Sequence, residues 1–451
     1  MTLDNPSSDD ESSTVLMPQP CLIPFQDCSQ RAGNIGWAQQ VRWEYEVRGM
    51  SEDICFSADV PAGTTIDDFL SAIGRMVSRH ESMRTRFQRV DGRLVRQEAV
   101  GSGDVDVIRY RVRAGHTPTD KLLRSRLGEK LLDIEKGFPF RAGFVAADGE
   151  VTHAAFAASS LIADAGACEN VVSSFVSELS AIKNGANGRP ERVFQQLDQV
   201  EWEASAHGLR ADRQAMDYWR EQMTAIQALP WPAILDSGTV RSFTVPAESV
   251  LIAADEVART SGTSSSGVIL TAFLQAAAQT LCLDGLGCYL HCSNRTGLGR
   301  EASVTRLKNV TVYAYSPGSS DFRSAVREVF RDSLKAYRNA QSPGELFLSR
   351  LGLNPEEAPF IQFNDVRSVV AMDGLTGRVQ QAEPRAEVDS DKPVMTETWS
   401  EITHHPAVLN LGVGAVMGAS RKPILRFQTN LLRMDGISLL VERMNRVLAA
   451  A

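Results

Sequence analysis

The sequence predicts an α+β protein of two lobes, each a mixed sheet with helices. Three observations carry that prediction. The 451 residues are about twice the size at which one hydrophobic core stops growing, so two units of roughly 200 residues are expected. The first half alternates Asp-Gly hairpin signals with amphipathic helices. The second half repeats that logic with strands and helices of similar size. Two such lobes leave a cleft between them, where ligand sites are common.

In chain order, residues 1–25 read as an acidic tail without structure of its own. The opening MTLDNPSSDDESSTVLMPQP has neither Lys nor Arg and no apolar run, so it is expected to be neither a signal peptide nor an anchor. The first lobe is placed at 26–205 and the second at 206–451.

From Thr65 the segment TIDDFLSAIGRMVSRH opens on a capping residue and sets Ile66, Phe69, Leu70, Ile73 and Val77 on one helical face. Asp91-Gly92 then joins MRTRFQRV to RLVRQEAV, and Asp148-Gly149 joins RAGFVAA to VTHAAFAAS. Asp-Gly between alternating segments is a strong hairpin signal. The helix CENVVSSFVSELSAI follows, with Val171, Val172, Phe175, Val176, Leu179 and Ile182 at helical spacing. KNGANGRPER begins an interlobe linker that runs from Lys183 to Gly208.

In the second half the sequence predicts a buried helix over 266–282, a strand CYLHCSN, a helix over 321–338, strands near 358–368, 407–417 and 423–430, and a last helix GISLLVERMNRVLAA. The most apolar stretch, Gly267 to Leu283, is interrupted by Thr271, Gln275, Gln279 and Thr280, which suits a core helix rather than a membrane span.

A formal charge of -8 argues against nucleic acid, because neutralising many phosphates needs a clustered excess of Lys and Arg. The seven cysteines (Cys21, Cys28, Cys55, Cys168, Cys282, Cys288, Cys292) are odd in number and contain no CxxC pair. Free thiols in a cytoplasmic protein are expected.

Several segments resemble the condensation domains of nonribosomal peptide synthetases, over residues 30 to 451. Arg79-His80-Glu81-Ser82-Met83-Arg84-Thr85-Arg86-Phe87 is similar to that family's RHExLRTxF segment. Ala38-Gln39 with Trp43, Asp133 to Arg141, Tyr218-Trp219-Arg220, Ser293-Asn294-Arg295 and Phe427 to Leu432 resemble further family segments in the same order. The resemblance implies a two-lobed, V-shaped fold of the chloramphenicol-acetyltransferase type with an active-site tunnel between the lobes. It also implies a carrier protein acting in trans, which supplies the phosphopantetheine arm, and no bound cofactor or metal.

The family's HHxxxDG motif falls on Ser159-Ser160-Leu161-Ile162-Ala163-Asp164-Ala165, where only the Asp is kept. Carried over by position, the catalytic histidine corresponds to Ser160, and a structural ion pair corresponds to Asp164 and Arg295. A serine hydroxyl is too weakly basic to replace imidazole near neutral pH unless another group takes its proton. Because a thioester is already activated, losing the base costs on the order of 10²–10⁴ in rate without abolishing it. Positioning, a replacement base, or a silent domain are the three readings left open.

His80 belongs to the RHE segment and reads as structural, and His153 lies at the start of a hairpin strand. His291, His404 and His405 are the candidate replacement bases, His291 by alternation onto the strand face of Ser293 and Arg295. Cys292 reads as a buried thiol before it reads as a nucleophile. Cys168 opens a helix, whose N-terminus would lower its pKa. Strand alternation separates Cys288, His291 and Cys292 and argues against a metal.

The expected function is amide-bond formation from an aminoacyl thioester on a carrier protein to a small-molecule amine acceptor, for which the resemblance suggests an amino sugar as in lincosamide-type antibiotics. The alternative is a silent domain that binds a carrier and recruits a partner enzyme; an O-acyltransferase or epimerase-like relative is a third. No membrane partner is expected.

Overall fold

The computed structural model describes residues 16–26, 28–47, 53–185, 192–230, 239–318, 321–353, 359, 361–367, 396–401, 408–415 and 423–451. They pack into two units. The first holds the described residues up to Ser205 together with Arg295–Leu307, and the second holds Ala206–Asn294 and the described residues from Lys308 onward.

The first unit runs β1 (Leu16–Phe25), β2 (Arg31–Asn34), α1 (Trp37–Val47), β3 (Asp53–Ala58), α2 (Ile66–Arg79), β4 (Thr85–Val90), β5 (Arg93–Ala99), β6 (Gly103–Val112), α3 (Asp120–Gly128), β7 (Phe140–Ala147), β8 (Glu150–Ser159), α4 (Ala165–Lys183) and α5 (Gln196–Ala204). A five-stranded sheet has the order β1-β6-β7-β8-β3, and β2-β5-β4 form a second, three-stranded sheet.

The expected tail ends earlier than residue 25. Residues 16–25 are the edge strand β1, antiparallel to β6 with Leu16 opposite Val112 and Phe25 opposite Gly103. Pro18, Pro20 and Pro24 hide this strand from sequence patterns. Their even spacing puts every missing N–H on one side of the strand, the side an edge leaves unpaired.

Both Asp-Gly dipeptides turn hairpins. Asp91 and Gly92 have φ of 50° and 75°, and Asp148 and Gly149 have 49° and 86°, the positive values that a two-residue turn of type I′ requires. Helix α2 starts on a reciprocal capping box between Thr65 and Asp68. It buries Phe69, Ala72, Ile73, Met76 and Val77, while Ile66 and Leu70 of the predicted face are only partly buried. Phe69 meets Phe144 and Phe175 at 4.8 and 5.4 Å between ring centres, so α2 and α4 share one aromatic core over the sheet.

The expected linker from Lys183 to Gly208 is structured over much of its described length. Residues 196–204 form α5, which buries Gln196, Leu197, Gln199 and Glu203. Its start lacks the Ser, Thr or Asp that usually signals a cap; Gln195 and Asp198 form the capping box instead.

The second unit runs α6 (Ala206–Gln227), β9 (Thr239–Pro246), α7 (Glu248–Ser261), α8 (Ser265–Leu281), β10 (Leu286–Cys292), β11 (Asn309–Tyr315), α9 (Phe322–Arg338), α10 (Leu346–Arg350), β12 (Ile361–Asp365), β13 (Thr396–Glu401), β14 (Leu409–Ala415), β15 (Pro423–Thr429) and α11 (Met434–Ala449). Its seven strands lie in the order β11-β10-β12-β14-β15-β9-β13, with β10-β12 and β12-β14 parallel. Strands β9 and β13 carry no clear signal in the sequence.

Helix α8 is the apolar stretch read as a core helix. Ser264 caps its start, and Val268 to Phe273 are buried. Trp219 of α6 is buried against Tyr289 and Phe347. Among the described residues no helix is long and apolar enough to cross a membrane.

Candidate functional site

Strand β8 ends at Ser159, and the chain turns tightly before α4. The N–H groups of Ile162 and Ala163 both donate to the Ser159 carbonyl, at 2.9 and 3.1 Å. Leu161, Ile162 and Ala163 are buried, and this apolar anchor fixes Ser160 between a strand end and a helix start. The Ser160 side chain is buried, and its Oγ has no hydrogen-bond partner among the described residues.

Asp164 closes the turn through its carboxylate. Its Oδ1 accepts from the Ala167 N–H at 2.9 Å, capping α4, and from Arg295 Nη2 at 2.5 Å. Its Oδ2 accepts from the Leu307 N–H at 2.8 Å. Arg295 also donates to the carbonyls of Ser303 and Thr305, at 2.8 and 2.7 Å. Charge-assisted bonds of this kind are about twice as strong as neutral ones. Gly166 makes the approach possible, because a Cβ there would lie 2.3 Å from Arg295 Nε.

Arg306 is a residue the motif reading did not find. Its Nη1 donates to the carbonyls of Ser160 and Ala163, at 2.8 and 3.3 Å, and its Nε donates to the carbonyl of Ala38 at 3.2 Å. One guanidinium thus ties α1 to the turn that carries Ser160. Nothing in the periodicity around Arg306 signals this, since it depends on Arg295–Leu307 returning to the first unit.

Arg300 holds the same segment. Its Nε donates to Gln199 Oε1 at 2.9 Å, and its guanidinium lies over the rings of Trp202 and Phe194. Beside it the buried Glu203 accepts from the Trp37 N–H and from Gln199 Nε2. Burial pushes the Glu203 carboxyl up to about 7, against the pull of these bonds and of Arg300.

His291 and Cys292 end β10, in the second unit. His291 Nε2 is 3.3 Å from Gln362 Oε1, and its Nδ1 has no partner among the described residues. Burial, reinforced by the positive Lys308, holds the imidazole well below its ordinary pKa, so it stays neutral and resists taking up a proton. It lines a cavity of about 210 Å³ with Ser264, Ser266, Leu270, Tyr337 and Asp365.

The expected alternation of His291 with Ser293 and Arg295 fails. The strand stops at Cys292, and Asn294 takes a left-handed conformation with φ of 53°, which breaks the period of two. Arg295 belongs to the first unit. Cys292 Sγ donates to Asn294 Oδ1 at 3.1 Å, and burial raises its pKa.

The expectation that a helix start lowers the Cys168 pKa is also overturned. Burial and the neighbouring Asp164 push that thiol well above its ordinary value. His404 and His405 lie outside the described residues. His80 is buried with Nε2 3.1 Å from Ser174 Oγ, and burial holds its pKa at about 3.

With this geometry in place, comparison with known proteins defines the class. A family model described as Condensation domain matches residues 54–358, and the chain belongs to that family. It is 21% identical over 419 residues to bacitracin synthase 3 of Bacillus licheniformis, covering 89% of this chain and 6% of that protein's length. The condensation domain from the Monacolin K polyketide synthase MokA shares the fold with a TM-score of 0.67 at 15% identity, covering 93% of this chain and 97% of that one. The PapA2 acyl transferase does so with a TM-score of 0.63 at 14% identity, covering 92% and 90%. The chain is a condensation-type domain.

Proposed function

We propose that the chain is an amide-forming transferase that moves an aminoacyl group from a carrier-protein thioester to an amine. The amine nitrogen attacks the thioester carbonyl, the tetrahedral intermediate collapses with release of the thiol, and the proton lost from nitrogen passes to a base or to the departing sulfur. The observation that carries this reading is the intact frame around Ser160. Asp164, Arg295 and Arg306 hold the turn in place, even though the residue at its centre is a serine. A frame of this kind supports positioning, and positioning is the larger share of what an activated thioester needs. Ser160 can hydrogen-bond a substrate but cannot deprotonate it. His291 is the imidazole candidate for a base, but burial holds it neutral and makes it a weak one, and Cys292, raised by burial, fits a nucleophile poorly. An amino sugar is the acceptor class we propose.

The second reading is a silent domain that binds a carrier and recruits a partner enzyme. The absence of imidazole at position 160 favours it. The experiment measures amide formation from an aminoacyl-loaded carrier with a panel of amines that includes amino sugars. Turnover by wild type supports the transferase, and a loss of about 10²–10⁴ in folded His291→Ala would identify His291 as the base despite its depressed pKa. Saturable carrier binding with no turnover for any amine selects the silent domain.

A further inference from the structure

Helix α9 runs against the charge of the chain. The whole sequence has a net charge of -8, yet Phe322–Arg338 carries five cations (Arg323, Arg327, Arg331, Lys335, Arg338) and two carboxylates (Glu328, Asp332), a net of +3. Arg323, Arg327, Arg331 and Lys335 recur every fourth residue and Arg338 follows three later. The five therefore form one row over roughly 22 Å at the helical rise of about 1.5 Å per residue. All five are exposed. Asp332 offsets Arg331 and Lys335, at 3.1 and 3.3 Å, while Arg327 donates to the Ser324 hydroxyl and lies in the field of Asp321, and neither Arg327 nor Arg338 has an ion pair within 4.0 Å among the described residues.

Leu334 lies between Arg331 and Arg338 on this row, at +3 and -4, and is 43% exposed. It also lines the cavity that holds His291, together with Phe330, Ser333 and Tyr337 of the same helix. An exposed leucine set in a cationic row beside this cavity combines an apolar contact with electrostatic steering.

We propose that this side of α9 is the docking surface for an acidic carrier protein, with Leu334 as its central apolar contact. The proposal rests on the carrier-dependent reading of the chain. Charge complementarity selects the occupant. A single row of cations on an acidic chain is too narrow to neutralise a duplex, and one exposed leucine leaves little apolar surface for a bilayer to bury.

The test titrates labelled holo peptidyl carrier proteins of acidic sequence against wild type, Arg327→Glu/Arg338→Glu, Arg327→Lys/Arg338→Lys and Leu334→Ala, in low and high salt. Phosphatidylglycerol vesicles and duplex DNA are run in parallel, and thermal melts check folding. The charge reversal is expected to weaken carrier binding about tenfold or more at low salt, the lysine pair to keep it, and Leu334→Ala to weaken it severalfold. Equal carrier binding by the folded charge-reversal variant overturns the docking surface and leaves the carrier reading standing. Wild type that binds no carrier overturns both, and tighter binding to vesicles or DNA than to any carrier overturns the proposed occupant.

Discussion

Arg295 Nη2 donates to Asp164 Oδ1 at 2.5 Å with both side chains almost wholly buried, 10% and 4% exposed. Their separation of 131 positions makes this a bond between a helix cap and a distant segment. Asp164→Ala removes the N-cap of α4, the partner of Arg295 and the acceptor for Leu307 at once. Breaking a buried pair by deleting one partner costs about 3–5 kcal/mol. Urea unfolding is expected to show a loss in that range for Asp164→Ala and for Arg295→Ala, and a smaller one for Asp164→Asn, which keeps one acceptor. A change within about 0.5 kcal/mol for either alanine variant, the range of an ordinary surface substitution, contradicts the assignment.

Gly166 tests the same contact from the other side. Gly166→Ala gains helix propensity of about 1 kcal/mol, yet its Cβ would lie 2.3 Å from Arg295 Nε. Net destabilisation in a thermal melt is expected, because the displaced guanidinium has buried partners to lose. Restored stability in Gly166→Ala/Arg295→Ala relative to the sum of the single variants identifies Arg295 as the group struck.

Ser160→Ala separates function from stability. The buried Oγ has no partner among the described residues, so deleting it removes an unmet polar group and is expected to leave stability unchanged or slightly higher. A loss above about 1 kcal/mol, the worth of a typical hydrogen bond, would mean that Ser160 holds the fold.

His80 sets an acid limb. Its folded pKa of about 3 lies below the ordinary 6.5, so the unfolded chain binds the extra proton and stability falls as pH drops below 6.5. At pH 5 this amounts to about 2 kcal/mol, at roughly 1.36 kcal/mol per unit. His80→Gln should flatten this limb in stability measurements from pH 7 to 5.

Glu203 acts with the opposite sign. Its folded pKa of about 7 lies above the ordinary 4.5, so the proton stabilises the folded state below pH 4.5 and that contribution is lost as pH rises through 7. Glu203→Gln should abolish this fall, read as the slope of the unfolding free energy between pH 4.5 and 7.5. An unchanged slope refutes the assignment.

The sequence by itself determined the elements that depend on short-range chemistry. Asp91-Gly92 and Asp148-Gly149 specify their turns because both residues must take positive φ. Thr65 and Asp68 specify a helix start because the bonds that cap it span three residues. The motif at Ser159 to Asp164, with Arg295, was legible through family resemblance and fixed where the site frame should lie.

Only the tertiary structure decided the rest. Strand β1 exists because β6 supplies its hydrogen bonds, which no pattern in a proline-rich segment shows. Cys168 sits at a helix start, but its thiol is governed by burial, a property of the whole core. Arg306 reaches Ser160 and Ala38 only because residues 295–307 return to the first unit. His291 parts from Arg295 because Asn294 turns left-handed. Local propensity acts over a few residues, whereas the bonds that place Ser160 are closed across 143 and more positions of chain, and such closures are settled by packing.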